Sequence, residues 1–195
     1  MTRKTAREIA VQLGFAAANS YVGIETLIEQ FFDEEHYSTL GAEDSLFEEY
    51  PDEGSMEYIK RLLTLLDANK AEIDGLIERF SKGWKVERIS KTALAILRCA
   101  VCEILYMDDI PNAAAINEAV ELDKGYDEAE TVSFVNGVLG GIVRRELSAD
   151  ELNTDTAEEI AGAEAETASE NSADEASELA GDAPEFADDQ SGGEG

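Results

Sequence analysis

An all-α fold is predicted for residues 1–147 by three features of the sequence. Apolar residues recur at spacings of three and four, no stretch alternates convincingly with period two, and Ser, Thr or Asn precedes several apolar runs, where helix caps belong. Residues 148–195 read differently. They hold 16 of the 44 acidic residues, none of the 15 basic ones and only scattered large apolar side chains (Leu152, Ile160, Leu179, Phe186), too little to offset the entropy of ordering. A helical domain at 1–147 followed by a disordered acidic tail at 148–195 is the organisation this implies.

The first helix places Ala6, Ile9, Ala10, Leu13 and Ala17 on one stripe, and Thr5 with Glu8 fits a capping box, which sets Arg3 and Lys4 at or before its start. Ile24, Leu27, Ile28 and Phe31 mark a short second helix, whereas Asp33 to Gly54, acidic and broken by Pro51, reads as irregular. Ser55 stands where it would cap a long third helix, whose face of Ile59, Leu62, Leu63, Leu66, Ile73, Leu76, Ile77 and Phe80 runs to a stop near Gly83. A short helical turn at Trp84 to Ile89 leads to Ser90, the expected cap of a segment that is apolar from Ala93 to Leu105 except at Arg98 and Glu103 and is therefore predicted to be surrounded by other helices. Beyond Pro111, Asn112 is placed to cap a helix through Ile116, Ala119 and Val120 to Gly125, where left-handed backbone is expected. The last helix buries Phe134, Val135, Val138, Leu139, Ile142 and Val143, and Gly137, Gly140 and Gly141 lower its propensity unless a neighbour approaches closely. About seven helices result.

The formal net charge is -29, and the helical domain alone carries 28 acids against 15 bases. Coating of nucleic acid by bulk electrostatics is thus disfavoured, and any contact must be local. One His, two Cys and no long apolar run speak against a His-rich metal site, a disulfide framework and a membrane span, and the amino terminus lacks a secretory pattern, which points to a cytoplasmic protein. No P-loop, GxGxxG or GxSxG is present, so no cofactor is expected, and none of the many carboxylates singles itself out for catalysis. Cys99 and Cys102 have the spacing of a redox or zinc half-site, but their apolar helix favours two small core residues. His36, beside Glu34 and Glu35, reads as a surface residue rather than a metal ligand. Arg98 must reach a carboxylate or the surface, because an unpaired buried guanidinium is too costly. Arg3, Lys4 and Arg7 form the only basic cluster before Lys60, suited to a phosphate backbone or to a solvated terminus alike.

Three segments together resemble the bacterial transcription antitermination family NusB. They are Lys4 through Phe15; Ile96-Leu97-Arg98-Cys99-Ala100 with Glu103 and Leu105; and Ile110-Pro111-Asn112 through Ala115-Ile116-Asn117-Glu118-Ala119-Val120-Glu121-Leu122, followed by Phe134-Val135-Asn136-Gly137-Val138-Leu139. The pattern IPxxxAINEAVEL followed by FVNGVL is the specific part, and the resemblance spans residues 4–147. It implies two packed helical sub-bundles and a role without catalysis. The family's member pairs with NusE, the small-subunit ribosomal protein of double function, and the pair holds boxA RNA of ribosomal RNA transcripts, acting with RNA polymerase and other Nus factors. By motif position Arg3, Lys4 and Arg7 resemble the phosphate-contacting head, Phe15 stands where Tyr is common and can stack on a base, and Arg98 and Phe134 fall near the RNA surface, with ion-pair and core roles as the alternatives. The head is less basic than is usual in the family and the acidic tail is additional to it. A helical adaptor with weakened RNA binding is therefore the competing function. The tail acts either as a solubilising appendage or as a competitor for the basic head, and a homodimer of the free protein stays open.

Overall fold

The computed structural model describes residues 1–81 and 89–146. Within them the chain is all-helical: α1 (Arg3–Ala18), α2 (Ile24–Phe31), α3 (Glu34–Glu43), a 3₁₀ turn at Ser45–Phe47, α4 (Glu53–Ala68), α5 (Lys70–Phe80), α6 (Lys91–Tyr106), α7 (Asn112–Asp123) and α8 (Ala129–Glu146). The expected turn at Trp84 to Ile89 falls almost wholly outside the described residues, as does the tail.

Five boundaries differ from those read in the sequence, each for a local reason. The cap of α1 is Thr2, whose hydroxyl accepts from the Thr5 amide at 3.1 Å, so the helix begins at Arg3 and not beyond Thr5. Arg3 and Arg7 are then four residues apart in one helix and share a face. The long helix expected from Ser55 is two helices. Asp52 caps α4, its carboxylate accepting from the Ser55 amide at 2.8 Å, and Asn69 (φ -114°, ψ 13°) ends it, its side-chain amide donating back to the Leu65 carbonyl at 2.8 Å. Such a side-chain bond competes with continuation of the helix, which restarts as α5. Asn112 is the first residue of α7 rather than its cap, with Pro111 before it. Gly125 follows α7 without left-handed backbone; Lys124 stays in helical geometry, and Gly125 donates its amide to the Leu122 carbonyl at 3.0 Å.

The stretch from Asp33 to Gly54, expected to be irregular, contains α3 and the 3₁₀ turn. Its aspartates are caps: Asp33 accepts from the His36 amide, Asp44 from the Leu46 amide and Asp52 from the Ser55 amide. Its aromatic residues Tyr37, Phe47 and Tyr50 cluster with the preceding Phe31 and Phe32, meeting mostly edge to face at centroid distances of 5.0 to 6.4 Å, and the cluster joins the main core. Such a cluster draws on residues too irregularly spaced to show as helical periodicity.

The helices pack as two groups, α1–α4 and α5–α8, around one continuous core. Capped by Ser90, α6 lies between the groups, against α1 and α4 on one side and α5, α7 and α8 on the other. Its residues from Ala95 to Val101, Arg98 apart, are almost wholly enclosed or only slightly exposed. Burying one such Leu or Ile contributes roughly 1.5–3 kcal/mol. The glycines of α8 divide by position. A Cβ at Gly141 would lie 3.0 Å from the Phe80 ring, so α5 approaches α8 there only because the side chain is absent, whereas one at Gly137 would meet open space.

Candidate nucleic-acid interface

Of the basic head, Arg7 does not face solvent. It enters the joint between α1, α4, α6 and α7, where its Nε donates to both oxygens of Glu103 at 3.1 Å, its Nη2 to Glu103 Oε1 at 2.9 Å and its Nη1 to Glu118 at 3.3 Å. Glu103 is wholly buried and also accepts from the Tyr58 hydroxyl. Burial works against the charge on Arg7, but the hydrogen bonds and the charge of Glu103 outweigh it and raise the guanidinium's pKa; burial followed by Glu103 likewise pushes Tyr58 well above the ordinary phenol. A buried pair of this kind specifies how the helices meet more than it adds net stability, and losing one partner is costly.

Arg3 and Lys4 remain exposed. The Arg3 guanidinium lies over the Tyr58 ring, 4.5 Å from its centroid, so the outer cation rests on the residue that helps hold the inner one. Along α1 the stripe Lys4, Glu8, Gln12 and Phe15 continues from this basic start at spacings of four, four and three. From Lys4 to Phe15 it runs about 16 Å.

At the far end of that stripe is a cleft of about 300 Å³, lined by Val11, Gln12 and Phe15 of α1, Thr92 and Ala95 of α6, and Tyr126 of the turn between α7 and α8. Phe15 is 38% and Tyr126 47% exposed, unusual for large aromatic groups of a packed domain. The Tyr126 hydroxyl donates to Glu8 at 2.8 Å, tying the turn to α1 across the cleft. Phe15 was legible from its motif. Gln12 and Tyr126 were not, although an aromatic residue in a Gly-Tyr-Asp turn just past a helix end is a signal of exposure. That this turn lies beside α1 is a tertiary fact.

The remaining expected site residues lie elsewhere. Arg98 makes a two-point contact with Asp74 of α5, Nε to Oδ1 at 2.6 Å and Nη2 to Oδ2 at 2.9 Å, which is the ion-pair alternative. Phe134, 5% exposed, belongs to the core. The structure leaves Arg3, Lys4 and Phe15 accessible, with Lys4 and Phe15 on one stripe of α1 and Arg3 on the neighbouring face toward α4, and places Arg7, Arg98 and Phe134 inside or against partners. Cys99 and Cys102 are both buried, and burial, reinforced by Glu103, pushes their thiols far above the range in which a thiolate forms. His36 is exposed, edge-on to Phe31, and among the described residues no group of three or more His, Cys, Asp or Glu side chains is placed to hold a metal ion. No helix of the described residues is long and apolar enough to cross a membrane.

Comparison with known proteins identifies the family. The model of the NusB family matches residues 4–144. The chain is 41% identical over 160 residues to the transcription antitermination protein NusB of Acetivibrio thermocellus, covering 82% of this chain and all of that protein, and 37% identical to that of Natranaerobius thermophilus, covering 74% and 96%. Among solved structures, NusB of T. maritima superimposes with a TM-score of 0.62 at 26% identity, covering 77% of this chain and 96% of that one, and the solution structure of NusB from Aquifex aeolicus with a TM-score of 0.55 at 25% identity, covering 73% and 87%. A match over most of the helical domain, at these identities and with the same fold, shows that the chain belongs to the NusB family, a family of transcription antitermination proteins rather than of enzymes.

Proposed function

We propose that this protein binds boxA RNA of ribosomal RNA transcripts together with a NusE-like ribosomal protein, and in the cytoplasm helps RNA polymerase, with other Nus factors, through terminators. The observation that carries this reading is the α1 surface: two exposed cations at the helix start, Lys4 at the head of a stripe and Arg3 beside it, and a cleft walled by two exposed aromatic residues at that stripe's other end. Single-stranded RNA is held by that combination, phosphates against Arg3 and Lys4, a splayed base against Phe15 and Tyr126, and the Gln12 amide offering a donor and an acceptor to a base edge. Arg7 contributes from beneath, through Glu103 and Tyr58, by fixing the surface on which Arg3 rests. In this reading Arg98 and Phe134 shape the scaffold.

Only two cations of the head face solvent, against a strongly acidic domain, so the partner supplies the rest of the positive surface. The test is a salt-series titration of a boxA oligonucleotide and a scrambled control, with and without the NusE-like partner. Preference for boxA by the heterodimer, with crosslinks to α1, supports the proposal; equal affinity for both RNAs removes it. The same shortage of exposed cations favours a second reading, a helical adaptor with weakened RNA binding. That reading predicts co-purification of the partner without boxA crosslinks to α1.

A further inference from the structure

Asp123, the last residue of α7, is wholly buried, and neither of its carboxyl oxygens receives a hydrogen bond from an N–H or O–H group. Among the described residues it is a second carboxyl, that of Asp127 four residues on, that acts on it, and Asp127 in turn accepts from the Ser90 hydroxyl at 2.7 Å. A wholly buried carboxylate beside a second, part-buried one is disfavoured as the charged form, because desolvation of Asp123 and repulsion from Asp127 each favour a proton between them. With that proton, an acceptor facing an acceptor becomes a donor facing an acceptor.

Among the described residues no cation offers Asp123 another route to neutrality. Lys124 is turned outward to Glu121 at 2.7 Å. From α1, Glu8 engages the Tyr126 hydroxyl; from the start of α6, Ser90 contributes a hydroxyl; and at the start of α8, Glu128 is exposed, its carbonyl capping the amides of Thr131 and Val132. Burial and Asp127 together push the Asp123 carboxyl up to about 7, in line with this geometry.

The pair also closes the turn that carries Tyr126. The Asp123 carbonyl accepts from the amides of both Tyr126 and Asp127 at 2.9 Å, and Ser90 ties Asp127 to the cap of α6. We propose that Asp123 and Asp127 form a proton-sharing carboxyl pair that positions Tyr126: the shared proton holds the turn against α6 and α1, and its loss drives the carboxylates apart and loosens the Tyr126 wall of the cleft. The pair and the turn rest on the fold; only the consequence for a ligand rests on the RNA reading above.

The full chain is titrated by carboxyl NMR, and amide exchange of residues 124–128, corrected for intrinsic rates, is compared at about pH 6 and about pH 8. The expected result is an Asp123 carboxyl that titrates near neutrality and protection in the turn that falls about tenfold at the higher pH, with Asp123→Asn showing no such fall. A boxA oligonucleotide at fixed ionic strength then loses affinity severalfold over the same interval in the parent protein, but not in Asp123→Asn. Titration of Asp123 among the exposed carboxylates, or an Asp123→Asn protein as pH-sensitive as the parent, overturns the proposal. So does loss of the pH response on adding Mg²⁺ or Ca²⁺, which identifies a cation site instead. Should Asp123→Asn fail to fold, the parent titration and Asp127→Asn decide the matter. If the NMR and exchange respond while RNA never binds, the RNA reading fails and the pair stands.

Discussion

Among the described residues the fold encloses two carboxyl side chains completely, Glu103 and Asp123, and treats them in opposite ways. Glu103 meets a guanidinium and a phenol, and every contact it makes is a donor. Asp123 meets another acid. Each anchors one end of the α1 surface: Glu103 fixes Tyr58, on which Arg3 rests, and Asp123 closes the turn that holds Tyr126 over the cleft. What decides the behaviour of a buried acid is therefore its partners rather than its depth. One site is an ion pair whose acid is met by donors, the other a carboxyl whose charge is suppressed by burial and a second acid.

The largest effect is expected at the first site. Glu103→Ala leaves the Arg7 charge buried against the more distant Glu118 alone and costs about 3–5 kcal/mol of stability, measured by urea denaturation. A loss below about 1 kcal/mol would mean that the site relaxes to admit water and that the contrast with Asp123 is overstated.

Next come the aromatic walls. Phe15→Ala and Tyr126→Ala each weaken boxA binding by about 1–3 kcal/mol with the salt slope unchanged, whereas Arg3→Ala lowers that slope by about one. Loss of affinity at Tyr126 that tracked salt would show that the far end of the stripe works by charge, erasing the difference between the two anchors.

Smaller, and opposite in sign to the first, is the effect of Asp123→Asn. The folded protein holds this proton up to about pH 7, while an unfolded Asp releases it near about 3.9, so the stability it contributes is complete below about pH 4 and is lost as pH rises through about 7. Urea melts above that range should show Asp123→Asn more stable than the parent by about 1–2 kcal/mol, less than the full linkage value because the amide is also imperfectly partnered. Equal pH slopes for the two proteins would contradict this.

The smallest effect expected is from Gly137→Ala. Its Cβ enters open space and gains helix propensity of up to about 1 kcal/mol, while the same change at Gly141 meets Phe80 and destabilises. Thermal melts of the pair measure how tightly α5 and α8 are packed behind the two anchors.

Much of this was legible in the sequence because it is local. The stripes of α1, α2, α6 and α8 and the Ser90 cap depend on residues within a few positions of each other. The failures were local competitions decided by one side chain: Thr2 against Thr5 for the cap of α1, Asp52 against Ser55 for that of α4, and Asn69 bonding back to Leu65 where the apolar pattern ran on. Asp33 and Asp44 looked like loop residues because capping and looping use the same side chains. The site was harder. Arg7 looked like part of an exposed cluster until the register of α1 turned it toward Glu103, and Tyr126 bore no motif at all.

By itself, then, the sequence determined an all-helical domain, the family motifs and a shortage of positive charge, since periodicity, spacing and composition are properties of the chain. Only the tertiary structure decided which cations face solvent, that Tyr126 stands opposite Phe15, and that one buried acid meets a base while the other meets an acid. Arg7 meets Glu103 across 96 residues of chain and Tyr126 meets Glu8 across 118, whereas Asp123 and Asp127 stand four apart and the fold supplies the burial, which sets the charge state of a group only after its neighbours are in place.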